Sequence, residues 1–236
     1  DMGNNSFFSI ESPLYKFMSR LTDIIKLNFL WLLCSIPVVT MGASTVAAFS
    51  ITLKMVEDEE GYVARKFFHE FKENLKKGSV IGIIQCIAMY AIYLDFQLAG
   101  AVEGSSTMFT VIGVIASFLA FMHLVYAYAL LARYENTIIN TMRNSHSICI
   151  RYFKKTIGLF LVLVLEFVVF LWNFSTLFLA ILIGPACVIY TISGFARPLF
   201  RIIETDNEER AAQSQDDDEE ENNDNSSEVV PGDEEH

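Results

Sequence analysis

The sequence predicts an all-α fold: a polytopic membrane helical bundle of about five transmembrane helices, with amphipathic cytoplasmic helices and a disordered acidic C-terminal tail. Three observations carry that prediction. Of 236 residues 53% are hydrophobic, and the mean hydropathy of +0.38 lies above the balance of an ordinary soluble domain. Apolar runs recur at the length of about 20 residues needed to cross about 30 Å of hydrocarbon. The formal charge of -11 is unevenly placed: 15 of 28 acidic residues lie from Glu204 onward against one basic residue, Arg210. The tail therefore carries -14, and the rest of the chain, with 16 basic and 13 acidic groups, carries +3.

These features divide the chain into an interfacial amphipathic N-terminal segment (1–26), a transmembrane helical domain (27–203) and the acidic tail (204–236). In the first segment Leu14, Phe17, Met18, Leu21, Ile24 and Ile25 form a helical apolar stripe suited to lying along an interface. The region 27–53 is long enough to span but is interrupted by Pro37 and Gly42, where proline removes a backbone donor. It is read as one bent span, with a re-entrant hairpin as the alternative. Four further runs, at about 79–98, 107–131, 157–172 with its flanks, and 176–196, complete the set. The tail has almost no apolar side chains to offset the entropy of ordering.

The loops supply an orientation. Residues 54–78 and 132–156 hold six and five basic residues, whereas the connections at 95–106 and 173–175 hold none. By the positive-inside rule the first pair is cytoplasmic, and Arg197 and Arg201 place the tail there too. One bent span at 27–53 would then leave the amino end outside, against Lys16, Arg20 and Lys26.

Within the first cytoplasmic loop Phe67, Phe68, Phe71 and Leu75 follow Val63 at helical spacing, with Arg65, Lys66, Lys72 and Lys76 between them. An amphipathic arm that meets a membrane surface or a partner is expected. Ile138-Ile139-Asn140-Thr141-Met142-Arg143 echoes this order in the second loop. The residues assigned to docking are Glu59, Glu60, Gly61, Phe67, Phe68 and Phe71 on the first arm, with Arg133, Glu135 and Asn136 on the second.

Ionisable groups inside the runs are the other candidates, because a charge in hydrocarbon is costly unless neutral, paired or hydrated. His123 and Glu166 lie at similar depths on consecutive spans, and a hydrogen-bonded pair is expected. Gly184-Pro185, like Pro37 and Gly42, marks a helix break that can free backbone groups. Gly78 and Gly82, with Ala116 and Ala120, permit close internal helix contact. Cys34, Cys86, Cys149 and Cys187 lack metal-ligand or disulfide spacing. No phosphate-binding loop, zinc motif or nucleophile elbow is present. No catalytic residue, metal or cofactor is assigned, and nucleic acid is not an expected partner.

The runs Ser12-Pro13-Leu14-Tyr15-Lys16-Phe17, Leu30-Trp31-Leu32-Leu33-Cys34-Ser35-Ile36-Pro37-Val38-Val39-Thr40-Met41-Gly42-Ala43-Ser44-Thr45 and Asp58-Glu59-Glu60-Gly61-Tyr62 resemble the YesL-like family of bacterial integral membrane proteins. Phe71-Lys72-Glu73-Asn74 and Arg133-Tyr134-Glu135-Asn136-Thr137 fit the same pattern, and the tail does not. The resemblance implies a polytopic protein of the cell membrane whose genes often accompany ATP-driven carbohydrate uptake systems; it implies no established activity, and an enzyme is not expected. Two functions follow as expectations. One is an accessory or assembly component whose arms dock ABC permease or ATPase subunits. The other is a stand-alone transporter or channel near His123 and Glu166, for which so few helices offer room chiefly as a homo-oligomer.

Overall fold

The computed structural model describes residues 13–57, 62–101 and 106–227, with side chains described as far as 213; the expectations for Glu59, Glu60 and Gly61 and for residues 1–12 and 228–236 lie outside these. The described residues are helical throughout apart from short connections. In chain order the helices are α1 (Pro13–Cys34), α2 (Met41–Val56), α3 (Val63–Glu73), α4 (Leu75–Ala101), α5 (Ser106–Leu124), α6 (Ala127–Arg133), α7 (Ile138–Arg151), α8 (Phe153–Leu171) and α9 (Phe174–Ser227). The chain divides into two compact units, Asp1–Ala196 and Arg197–His236.

The region expected to form one bent span is instead a helical hairpin. Pro37 supplies no N–H and its ring biases Ile36 toward an extended backbone. The chain leaves α1 at Cys34, makes a 3₁₀ turn over Val38–Thr40 and re-enters as α2. Trp31 Nε1 donates to Thr45 Oγ1 at 3.0 Å near the turn, and the Arg20 guanidinium donates to the Met55 carbonyl at the far end. Those two pairings make α1 and α2 antiparallel, so the start of α1 lies at the same end as the close of α2. α1 also runs unbroken across the boundary drawn at residue 26. Exposed apolar side chains gather at the hairpin tip, on Phe29, Leu32, Leu33, Ile36, Val38 and Val39.

The core of the first unit is α2. Two-thirds of its apolar window (67%) is buried, against 11% for that of α4. Gly42, expected as a helix break, sits in the first turn of α2 and is a packing residue. A methyl group there would lie 2.0 Å from the Gly78 carbonyl oxygen and 2.8 Å from the Gly82 Cα. The Gly78-x-x-x-Gly82 pair thus lets the backbones of α2 and α4 touch, as small residues do wherever helices must approach closely. On another side of α2, Phe49 stacks on Tyr128 of α6 at 6.4 Å, and Ser50 Oγ donates to the Ala132 carbonyl at 3.3 Å. Thr52 Oγ1 and Ser193 Oγ share a 2.6 Å hydrogen bond that ties α2 to α9.

Among the described residues four segments are long and apolar enough to cross a membrane: Val38–Val56, Leu75–Ala101, Ser106–Arg133 and Phe174–Gln213. The expected span at 157–172 lies in α8, whose 19 residues carry Lys154, Lys155 and Glu166. The exposed apolar side chains of α4, α5, α8 and the early part of α9 suit lipid rather than water. This is a multi-pass membrane protein.

The second unit departs from the sequence reading. Instead of beginning a disordered tail at Glu204, α9 continues as helix to Ser227. Propagation adds one backbone bond per residue to an existing helix and avoids the nucleation penalty. Glu, Gln, Ala and Arg between 204 and 213 are favourable residues for it. Arg197 and Glu204 form an ion pair at 3.2 Å within this unit.

Gly42→Ala is expected to lower the thermal midpoint of the purified protein in detergent by an amount equivalent to about 1–3 kcal/mol, as overpacking does. Gly100→Ala, where an added methyl meets nothing within 4 Å, is expected to leave the midpoint unchanged or slightly raised.

Candidate functional site

The first arm is fastened to the hairpin. Val63 and Phe67 are buried, and α3 packs along α1 and α2. Phe67 meets Phe68 edge-on at 5.9 Å and stacks on Phe71 at 6.3 Å. Phe67 is therefore core and is not available to a partner, which corrects its assignment to docking. The outward face keeps Phe68, 42% exposed, beside Arg65, His69 and Lys72, with Tyr62 at 86% exposure just before the helix. Phe71 is half-buried.

On the second arm Arg133 and Glu135 are exposed, and Asn136 is half-buried. Asn136 Oδ1 accepts from the Thr137 N–H at 2.8 Å, and the Thr137 hydroxyl caps α7 by accepting from the Asn140 N–H at 3.4 Å. Asn136 thus shapes the turn that starts α7. Ala132 lies beside Ser50, which brings the end of α6 alongside the second half of α2.

His123 and Glu166 do not pair. The His123 Nδ1–H donates to the Leu119 carbonyl at 2.8 Å, and its ring stacks on His146 of α7 at 4.6 Å. Glu166 Oε1 accepts from the Thr191 hydroxyl of α9, while Oε2 is buried without a hydrogen-bond partner. Similar depth on neighbouring helices left their rotation about the helix axes undetermined, and that rotation turns each toward a different helix. Among the described residues no group of three or more His, Cys, Asp or Glu side chains gathers to hold a metal.

The helix breaks are closed rather than open to a ligand. At Gly184-Pro185 the missing proline N–H leaves the Ile181 carbonyl without its donor four residues on. Asn28 of α1, 1% exposed, fills that gap. Its Nδ2 donates to Ile181 O at 3.0 Å and Leu182 O at 2.8 Å, and its Oδ1 accepts from the Ala186 N–H at 3.1 Å. A groove of about 410 Å³, with Ile25, Phe29, Leu32, Phe178 and Lys26 on its walls, lies over this clamp. A second break separates α5 from α6. There Ser145 Oγ accepts from the Tyr126 N–H at 3.2 Å and donates to the Met122 carbonyl at 3.1 Å. It thereby stands in for the direct backbone bond between those two groups. At Pro37 the Thr40 hydroxyl reaches the Cys34 and Pro37 carbonyls at 2.7 and 2.8 Å.

Sequence reasoning passed over Asn28 and Ser145. A lone amide inside Ile24-Ile25-Lys26-Leu27-Asn28-Phe29-Leu30 was the available signal, because an unpartnered polar side chain among apolar neighbours is costly. For Ser145, on a polar helix, no such contrast exists. Beside Ser145, the Cys149 thiol donates to the same Met122 carbonyl at 3.4 Å, and burial pushes its pKa up to about 11.

The model of a family described as "Protein of unknown function, DUF624" matches residues 24–96. The match spans most of the α1–α2 hairpin, α3 and the greater part of α4, and it includes Asn28, Pro37, Gly42, Phe67, Gly78 and Gly82. Neither the curated proteins nor the solved structures gave a match.

Asn28→Ala is expected to destabilise the protein by about 2 kcal/mol, since it leaves the Ile181 carbonyl without a donor in apolar surroundings. Pro185→Ala in the same chain is expected to recover most of that loss, because an N–H returns beneath Ile181 O. Thermal unfolding of the four proteins of this double-mutant cycle in one detergent checks both. Cys149 is expected to resist maleimide at pH 8, where burial keeps its thiol protonated, and to react fully after denaturation in dodecyl sulfate.

Proposed function

We propose that this protein is an accessory or assembly component of an ATP-driven carbohydrate importer, docking its permease or ATPase subunits through the outward face of α3. The observation that carries this reading is that α3 has two unlike faces. Val63 and Phe67 fix it to the central hairpin, while Tyr62 and Phe68 stay exposed among Arg65, His69 and Lys72. Exposed aromatic side chains on a rigid element are favoured anchors for protein partners. The importer as partner class is supported by the resemblance of Leu30 to Thr45 and neighbouring runs to the YesL-like family.

In this reading the protein lies in the cell membrane with α3, the start of α1 and the C-terminal end of α9 on the cytoplasmic side. The hairpin supports that orientation. It puts Lys16 and Arg20 at the end where Lys54 closes α2, so the basic residues agree on one side. A stand-alone transporter has weaker support, because His123 and Glu166 bond to different helices and Asn28 occupies the carbonyls at the α9 break.

Tyr62→Ala with Phe68→Ala, neither side chain being buried, is expected to reduce co-purified permease or ATPase at least about tenfold in mild detergent. Membrane abundance of the variant should match wild type. Undiminished recovery of those subunits would sink the docking reading.

A further inference from the structure

We propose that the outward face of α7 and the start of α8 bind the phosphates of anionic phospholipids in the leaflet they border. This does not rest on the importer reading, and the surface lies C-terminal to the segment that matches the family.

The burial pattern of α7 is the first argument. Its inward face consists of Thr141, Ser145, Ile148 and Cys149, all buried, and holds to α5 through the Ser145 and Cys149 bonds to Met122. Ile139, Arg143 and Ile150 occupy the opposite side, within about 40° of one another at about 100° per residue. Ile139 is 75% and Ile150 58% exposed. Two hydroxyls, of Thr141 and Ser145, turn inward with Ile148, while Ile139 and Ile150 stand outward with Ser147, an apolar content that a helix face built for water alone does not carry. Isoleucines interleaved with cations are instead the surface of a helix that lies in the headgroup layer, with its apolar groups at the acyl boundary.

Position is the second. α8 starts at Phe153, itself 50% exposed, and the apolar run that follows begins at Ile157. Ile150, Arg151, Phe153, Lys154 and Lys155 thus stand where the chain passes from polar to apolar sequence, the level at which aromatic and basic residues meet headgroups. Tyr152, between the two helices, has the Arg151 guanidinium 5.7 Å and the Lys155 ammonium 6.0 Å from its ring centroid. One aromatic ring therefore gathers two cations.

Charge names the occupant. Between Asn136 and Leu165 there are four basic residues, Arg143, Arg151, Lys154 and Lys155, and no acidic one. The first loop, 54–78, has six of each sign. The first arm therefore has no net preference for anions, whereas the second attracts them, and clustered Lys and Arg next to a span hold acidic lipids by just this attraction.

The test is amide hydrogen exchange of the full chain in nanodiscs of phosphatidylcholine alone and with about a third phosphatidylglycerol. Amides of 138–155 are expected to exchange at least about fivefold more slowly in the anionic discs, an advantage lost as salt rises from about 0.05 to about 0.5 M. Amides of α2 should be unaffected and report an intact fold. The combined Arg143→Gln, Arg151→Gln, Lys154→Gln and Lys155→Gln protein is expected to exchange alike in both discs. Equal exchange of the wild-type segment in the two lipids would overturn the proposal, whatever the variant does. So would a lipid difference that survives in a folded variant, which would assign the effect to other residues.

Discussion

Every backbone N–H and carbonyl in apolar surroundings needs a partner, and among the described residues this protein meets that requirement with side chains at Pro37, between α5 and α6 and at Pro185. Thr40 serves the turn at Pro37, Ser145 the gap between α5 and α6, and Asn28 the break at Pro185. Two of these three come from a different helix from the one they repair. The same atoms that satisfy the backbone therefore fix which helices lie side by side: α1 against α9, and α7 against α5. Backbone satisfaction and tertiary arrangement are one constraint here.

Close approach is the complement. In lipid there is no gain from hiding apolar surface, so helices are held by contact between atoms and by interhelical polar bonds. α2, with Gly42, Ala43, Ser44, Ala47, Ala48 and Ser50 along its length, is made of side chains that leave room for neighbours. The glycine contact with α4, the hydroxyl bond from Ser50 to α6 and the Thr52–Ser193 bond to α9 radiate from it.

The helical class and the limits of most apolar runs were legible because length and hydropathy are local properties. Pro37 announced an interruption, but whether the chain bends or reverses depends on contacts such as Trp31 with Thr45, which hydropathy does not specify. The stripe Val63, Phe67, Phe71 was correctly periodic, yet periodicity names a face and not what covers it; the face that was to be offered outward is held by the hairpin. Depth along a helix could be counted for His123 and Glu166, while azimuth could not, and azimuth decides hydrogen bonding. The helical continuation beyond Glu204 escaped composition-based reasoning because composition is blind to an already formed helix upstream.

The repairs also impose an order on biogenesis. A chain made from its amino end presents Asn28 to the bilayer long before its partner exists, since the Ala186 N–H that it accepts from lies 158 residues later. Ser145 likewise follows Tyr126 by 19 residues, so the gap between α5 and α6 stays unsatisfied until α7 has emerged. Until the last long helix arrives, α1 must shelter an amide in lipid or wait nearer the interface, and an interrupted product keeps that amide unpaired. Arrival of the first half of α9 thus has a chemical mark inside the membrane, the burial of one asparagine.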